Sequence, residues 1–366
     1  MRSVEITEGP TRLIVPEDHS AGGPGKINGS VFFNEQMAFN RDISVMFLRA
    51  LDKEMSVVDA MTATGSRAVR IANEAPKTRV TANDIDSSAI PYIEKNIEIN
   101  NLSNCVPSNR NLHSLLAEHV FDYVDIDPFG SPMPFLHSSI QGVRRHGYLA
   151  ITATDAAPLA GAHRAKCERR YQVRPLRGVM CHEAGLRILI GTMAREMAKF
   201  DKGLKPMLSF SADHYFRTYL QVMDGANNAD EALKNLVYIA FDPKTLERSF
   251  SYEPDKEHVY GPFWGGKLFD KEHLNRMDAH DTCTERKCTK YLDLWREEID
   301  DIPLLYDMSE LSSFLKVTTP RFDTFIERMN EYGRTSKTHM SPTAFKTELS
   351  FKEICDVYRE VSGETL

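Results

Sequence analysis

No C-x-x-C pair occurs in this chain of 366 residues, and its six cysteines, Cys105, Cys167, Cys181, Cys283, Cys288 and Cys355, are scattered. Four residues separate Cys283 from Cys288 with no second pair nearby, which argues against a zinc site. Cysteines so dispersed in a chain this long point to a reducing, cytoplasmic setting rather than a disulfide framework. Also missing is any run approaching the roughly 18 apolar residues of a membrane span. Residues 1–10 carry both charge signs and no apolar h-region, so a secretory signal is not expected. There are no internal repeats and no low-complexity tracts. Basic residues are outnumbered: 45 Lys and Arg against 52 Asp and Glu leave a net charge of −7. That balance counts mildly against a nucleic-acid partner, although clustering on one surface matters more than the total.

The remaining composition, 42% apolar and 27% charged, is that of a globular protein, and the length suggests two domains. From about residue 30 to residue 155, strand-like and helix-like segments alternate, the pattern of a parallel sheet covered by helices. Strands are expected at residues 55–60, 79–83, 121–126 and 148–154, and helices at 65–73, 87–100 and 134–143. Ser87 and Ser88 are the cap candidates of the second helix. A loop rich in Pro, Gly and Arg is expected at 155–178. A long helix then covers 179–200, with Leu186, Ile190, Met193 and Met197 at helical spacing. Two antiparallel strands follow at 206–212 and 215–222, and the first domain closes near Asp224–Gly225, giving domains 1–228 and 229–366. Residues 242–266, rich in Pro, Gly and aromatics, suggest an irregular junction, and from Lys271 the chain is mostly helical and charge-laced.

Five constellations bear on chemistry. In D-A-M-T-A-T-G-S-R, residues 59–67, small side chains at a strand-to-helix junction let backbone N–H groups approach a ligand, with Asp59, Thr64 and Gly65 as candidate cofactor contacts. A plain turn capped by Thr64 is the alternative, and the dinucleotide glycine fingerprint is absent because only Gly65 is glycine. Asp84, in N-D-I-D at the next strand end, is placed to bind a ribose diol of NAD, FAD or S-adenosylmethionine; alternatively Asp84 or Asp86 caps the following helix. The third is D-I-D-P-F-G-S-P, residues 125–132, at the carboxyl end of an apolar strand, where open α/β sheets bind ligands. The lone pair of an exocyclic amine is delocalised into its base. The Asp127 carboxylate and the Pro128 carbonyl can accept its two N–H bonds and restore nucleophilicity, while the Phe129 ring stacks on the base. Fourth, Arg41 of N-R-D offers a bidentate bond to a cofactor carboxylate, or is simply a surface residue of a first helical turn. Fifth, residues 163–178 hold Arg164, Lys166, Arg169, Arg170, Arg174 and Arg177 against the single acid Glu168, an electrostatic footprint for a polyanion projecting from the edge that bears Asp127. Cys181-His182-Glu183 lacks the second His of a zinc protease and is better explained by helix packing, and Met180, Met193 and Met197 read as core.

With these segments the chain resembles the archaeal and eukaryotic tRNA (guanine-26-N2) dimethyltransferase family. Besides N-R-D-I and the two motifs at 59–67 and 125–132, it has T-A-T-D-A-A-P-L-A-G-A-H, C-H-E-A-G-L-R-I-L, G-P-F-W-G-G and S-P-T-A-F-K-T, spread over nearly the full length. The resemblance implies a class I S-adenosylmethionine-dependent methyltransferase (Rossmann-like) domain with a second, smaller α/β C-terminal domain that helps grip tRNA. It implies mono- and then dimethylation of guanine 26 at N2. Family roles fall on Arg41, Arg67 and Asp84 for the cofactor, and on Asp127 and Phe129 for the base. Where many relatives have an Asp that holds the adenine amine, this chain offers Asn111, followed by Leu112. Some members have a four-cysteine zinc knuckle near residues 238–266, where this chain has no cysteine, so no metal is expected. The rivals are an amino methyltransferase acting on rRNA or DNA, a nucleotide-dependent dehydrogenase, and a non-catalytic tRNA-binding module.

Overall fold

In the computed structural model, residues 2–20 and 31–363 are described. The chain forms two compact units, each discontinuous in sequence: Met1–Thr152 with Tyr219–Met223 and Lys271–Leu292, and Ala153–Thr218 with Asp224–Asp270 and Asp293–Leu366.

The first unit opens with a hairpin of β1 (Ser3–Glu8) and β2 (Thr11–Pro16) that turns through Gly9 at a φ of 56°. After α1 (Ala38–Leu51) the chain alternates through β3 (Met55–Asp59), α2 (Ser66–Glu74), β4 (Thr78–Asn83), α3 (Ile90–Ile99), β5 (Cys105–Ser108), α4 (Leu112–Glu118), β6 (Phe121–Ile126), α5 (Leu136–Gly142) and β7 (Val143–Ala153). The seven-stranded sheet has the order β5-β4-β3-β6-β7-β9-β8; β8 (Lys202–Ala212) falls among the residues of the second unit and β9 (Tyr215–Asp224) only partly in the first. Strands β3 to β7 run parallel. Parallel strands covered on both faces must be apolar throughout. Val57, Val58, Tyr123, Val124 and Ile126 are accordingly fully buried, and polar residues come where each strand ends: Asp59, Asn83 and Asp125. The order reverses between β3 and β6, the switch point at which such sheets open a crevice.

A buried ionic core ties the hairpin to α1, α2 and residues 271–292. The Arg70 guanidinium is 2.7 Å from Asp42, 2.7 Å from Glu74 and 3.2 Å from Glu8. Asp42 also accepts hydrogen bonds from the Cys283 and Thr284 amides, and Thr11 donates to Glu74. Burial alone would push the Glu8 carboxyl up, but Arg41 and Arg70 outweigh it and hold it below the usual carboxylate range.

The second unit contains α6 (Ala156–Leu159), α7 (Arg164–Tyr171), α8 (Cys181–Ala198), and two small sheets: β10 (Leu236–Phe241) between β11 (Arg248–Ser251) and β12 (Tyr260–Trp264), and β15 (Ala344–Thr347) between β13 (Tyr306–Asp307) and β14 (Thr335–Lys337). Its centre is also ionic. Lys346 lies 2.8 Å from Glu183 and 3.3 Å from Glu298, Arg187 is 2.8 Å from Glu183, and His339 meets Glu298 at 2.6 Å. Glu183 thus serves helix packing, as expected from the missing zinc-protease histidine, and Met180, Met193 and Met197 are core.

Several expectations change. Residues 155–178 are not one loop: α6 and α7 interrupt them, and Arg164–Glu168 is an i,i+4 pair at 2.7 Å on α7. Residues 242–266 include β11 and β12, and the segment beyond Lys271 includes a three-stranded sheet. Asp86, not Ser87 or Ser88, accepts the capping bond at the start of the 87–99 segment, which begins as a 3-10 turn before α3. Strand β7 starts five residues earlier than expected because a bulge near Arg144–Gly147 hides it: Phe121 pairs with Val143 but Tyr123 pairs with Tyr148.

Candidate active site

The strand ends bring the sequence motifs together. Asp59 on β3 stands directly opposite Asp125 on β6, and Asp127 lies two residues beyond Asp125. Across from these acids is one cation. Arg67, in the first turn of α2 and nearly buried, donates from Nη2 to the Asp127 carboxylate. Its Nη1 donates to Asn40 Oδ1 at 2.7 Å and Ser44 Oγ at 2.8 Å and lies 3.8 Å from Asp125. Ser44 in turn meets the Tyr219 hydroxyl at 3.0 Å. Asn40, Ser44 and Asp125 are not candidates from the sequence, although Asn40 and Asp125 lie within N-R-D-I and D-I-D-P-F-G-S-P. The guanidinium is aimed from several directions at once, so the carboxylate it holds has little freedom.

Gly65 makes this approach possible. It caps α2 in the left-handed region, φ 78°, and a Cβ there would meet Ile93 at 3.1 Å. Thr64 does not cap the helix; its hydroxyl bonds to the Ser66 hydroxyl at 2.6 Å. Of the two roles expected for that acid pair, the cap falls to Asp86, whereas Asp84 accepts from the Ala63 amide at 2.8 Å and so pins the turn after β3.

Three carboxylates around one guanidinium leave this sheet edge with an excess of negative charge. The strain falls on Asp59. Burial raises its carboxyl to about 7, Asp125 and Asp127 add to the rise, and Arg67 and the Thr62 hydroxyl oppose it. Thr62 donates to Oδ2 at 2.6 Å, while Oδ1 is buried with no hydrogen-bond partner among the described residues. Asn40 Nδ2 is the second such atom in this site. Arg67 bonds to the oxygen of that amide and so fixes its orientation. An orphaned acceptor at the end of β3 and an orphaned donor on α1 have the polarity to receive a zwitterionic amino-acid moiety, the ammonium at Asp59 and the carboxylate at Asn40.

Other candidates stand differently. Arg41 makes the bidentate bond foreseen for it, but to Glu8, at 2.8 and 2.5 Å, with the Asn34 carbonyl as a third partner and the Phe33 ring 4.8 Å away. Asn111 is the N-cap of α4: its side-chain oxygen accepts from the His113 amide at 2.9 Å and is already engaged, while Leu112 is buried. Phe129, beyond Asp127 and Pro128, is 63% exposed, large for an aromatic ring, and meets the edge of Phe32 at 4.7 Å. An aromatic face in solvent beside a fixed carboxylate is a platform for a planar ring. Among the described residues no group of three or more His, Cys, Asp or Glu is arranged to hold a metal, and no helix is long and apolar enough to cross a membrane.

The basic residues belong to the second unit. Arg164, Arg169, Arg170 and Arg177 are exposed and Lys166 is half-buried. Arg170 is 2.9 Å from Asp155, which also accepts from the Tyr171 hydroxyl at 2.7 Å, so Asp155 anchors α7. Arg174 packs against the Tyr260 ring at 5.0 Å.

A sequence model of the N2,N2-dimethylguanosine tRNA methyltransferase family matches residues 11–359. A tRNA (guanine(26)-N(2))-dimethyltransferase of Pyrococcus abyssi is 38% identical, covering 98% of this chain and 99% of that protein. One from Saccharolobus islandicus is 37% identical, covering 97% and 98%. The solved structure of Trm1 from Pyrococcus horikoshii in complex with S-adenosyl-L-methionine superposes with a TM-score of 0.89 at 35% identity, covering 97% of this chain and 99% of that one.

Proposed function

This chain belongs to the N2,N2-dimethylguanosine tRNA methyltransferase family, and from that premise we propose that it transfers methyl groups, one and then a second, from S-adenosylmethionine to the N2 amine of guanine 26 in tRNA. The observation that carries the assignment of residues is the Asp127 carboxylate, clamped by Arg67 at the end of β6 beside the exposed Phe129 ring. Bound S-adenosylmethionine supplies an electrophilic methyl group. The chain's part is to position the amine. Asp127 and the Pro128 carbonyl accept the N2 hydrogens, Phe129 stacks on the extruded base, and Asp127 or solvent takes the proton that the amine loses. Held in line in this way, the reactants gain from positioning, which is worth up to about 7–11 kcal/mol.

For the cofactor, Asp59 takes the ammonium, Asn40 the carboxylate and Asp84 the ribose diol, while Gly65 and Thr64 shape the turn. We assign Arg41 an indirect part, through Glu8 and the ionic core. Asn111 holds the adenine amine only if it gives up its cap, with Leu112 beneath the ring. The basic residues from Arg164 to Arg177, together with residues 229–366, grip the tRNA backbone. The six cysteines, all free, suit a cytoplasmic protein.

The test is methyl transfer from tritiated cofactor to tRNA, rRNA and duplex DNA. Label on guanine 26 of tRNA alone is expected; equal labelling of rRNA or DNA would favour another amino methyltransferase. Asp127→Ala should bind cofactor normally and lose transfer at least about 100-fold. Normal turnover by a folded Asp127→Ala variant would remove Asp127 from the mechanism.

A further inference from the structure

A cavity of about 700 Å³ lies in the second unit. That is within the range of about 300–1,000 Å³ that small-ligand sites occupy. Its walls include Phe241 of β10, Arg248 and Phe250 of β11, and Tyr306 and Phe351. The Arg248 guanidinium carbon lies over the Tyr306 ring, 3.4 Å from its centroid, and Tyr306 itself stacks with Phe351 at 6.0 Å. Arg248 Nη1 donates to the Leu305 carbonyl at 2.6 Å and touches Met180 Sδ at 3.2 Å. No described carboxylate lies within ion-pair distance of this guanidinium; burial lowers its pKa, and Glu183 and Glu310 act on it only from farther off. Arg248, Phe250 and Tyr252 stand at alternate positions along one edge strand and its extension, and Phe250 and Tyr252 are 41% and 76% exposed.

The rim has the opposite sign. Asp242, Glu247 and Glu257 line the opening, all three exposed and none in an ion pair with a described residue. These acids disfavour a phosphate inside. What they favour is a planar ring that donates hydrogen bonds on one edge and accepts them on another. Guanine has that pattern: N1–H and the N2 amine donate to a carboxylate, and O6 and N7 accept from an arginine, while aromatic rings cover its faces. Adenine lacks the O6 acceptor, and the pyrimidines lack N7.

We propose that this cavity receives an unstacked guanine of the tRNA, with a face on Phe250 and its O6–N7 edge toward Arg248, as an anchor other than the base that is methylated. The inference rests on the reading of tRNA as the substrate. A free guanine nucleotide presents the same base, so the test separates the two sources.

Phe250→Ala and Glu257→Gln are suitable variants because both side chains are exposed and their loss leaves the core intact. Wild-type transfer to a tRNA transcript is measured first and judges the enzymatic reading by itself. Equilibrium dialysis of the full chain with GMP, AMP and CMP needs no transfer and judges the cavity even if that reading fails. The expected result is a KM for tRNA raised about tenfold in Phe250→Ala, less in Glu257→Gln, with kcat unchanged. GMP should be retained in preference to AMP and CMP, and lost by Phe250→Ala. A KM rise in both variants upholds the proposal even where free GMP binds too weakly to be seen. Loss of GMP binding with an unchanged tRNA KM overturns the tRNA assignment and makes a free guanine nucleotide the occupant. Absence of GMP binding by the wild type together with unchanged KM values overturns the site.

Discussion

Cofactor affinity should depend on pH through Asp59. Burial raises its carboxyl to about 7, and its Oδ1, without a hydrogen-bond partner among the described residues, is the atom proposed to take the cofactor's ammonium. A cation settling there favours the ionised form, so binding below pH 7 must expel a proton. With the bound carboxyl ionised throughout, the apparent Kd rises about tenfold at pH 6 and about 100-fold at pH 5 relative to pH 8. The ligand's own α-amino group, with a pKa of about 7.7–8.0, stays protonated across the lower part of that range and does not supply the slope. Titration calorimetry with S-adenosylmethionine, in pairs of buffers of different ionisation enthalpy, reads both quantities. About one proton should be released per site at pH 5–6, and almost none at pH 8. Asp59→Asn should flatten the dependence. Stability follows the same proton. A carboxyl whose folded pKa lies above its unfolded value stabilises fully below about 3.8, and that contribution disappears as pH rises through about 7. A wild-type Kd constant from pH 5 to 7, or an equal slope in Asp59→Asn, would refute the argument.

Three further outcomes are expected. Arg67→Lys keeps one charge but cannot reach Asp127, Asn40 and Ser44 together; transfer should fall more than cofactor binding, and thermal unfolding should show about 1.5–3 kcal/mol lost with its charged hydrogen bonds. Phe129→Ala removes an exposed ring, so its melting temperature should match the wild type while kcat/KM for tRNA falls about 5- to 150-fold; unchanged kinetics would mean the ring touches no base. Lys346→Met leaves Glu183 to Arg187 and Glu298 to His339, and should cost about 3–5 kcal/mol in denaturant unfolding, with α8 among the elements that loosen.

The central strands were legible because parallel strands buried on both faces carry apolar, β-branched or aromatic cores, such as Val57–Val58 in β3 and Tyr123–Val124 in β6, while β4 keeps only Val80 and Ala82. Where a second demand disturbed that rule, legibility failed. The charged bulge before Tyr148 hid the start of β7, and the density of arginine in α7 resembled a loop although Arg164 and Glu168 are spaced for a helix. Asp59, Asp84 and Asp127 are legible as candidates because strand ends, glycine turns and acid–proline motifs are local signals, whereas Arg67 is implied by the family resemblance.

Sequence alone determined the alternation of strands and helices, the acids that end the strands, and the family segments that accompany them, because each depends on residues a few positions apart. Only the tertiary structure decided what those residues face. Glu8 claims the Arg41 fork across 33 positions, and Arg67 reaches Asp127 across 60. Asn111 spends its oxygen on a helix cap, and Asp59 is left with a bare oxygen whose proton is held to about pH 7. Such pairings depend on the low dielectric and the close packing of the folded interior, where charges distant along the chain come within a few ångströms and each must find a partner, a proton or a ligand.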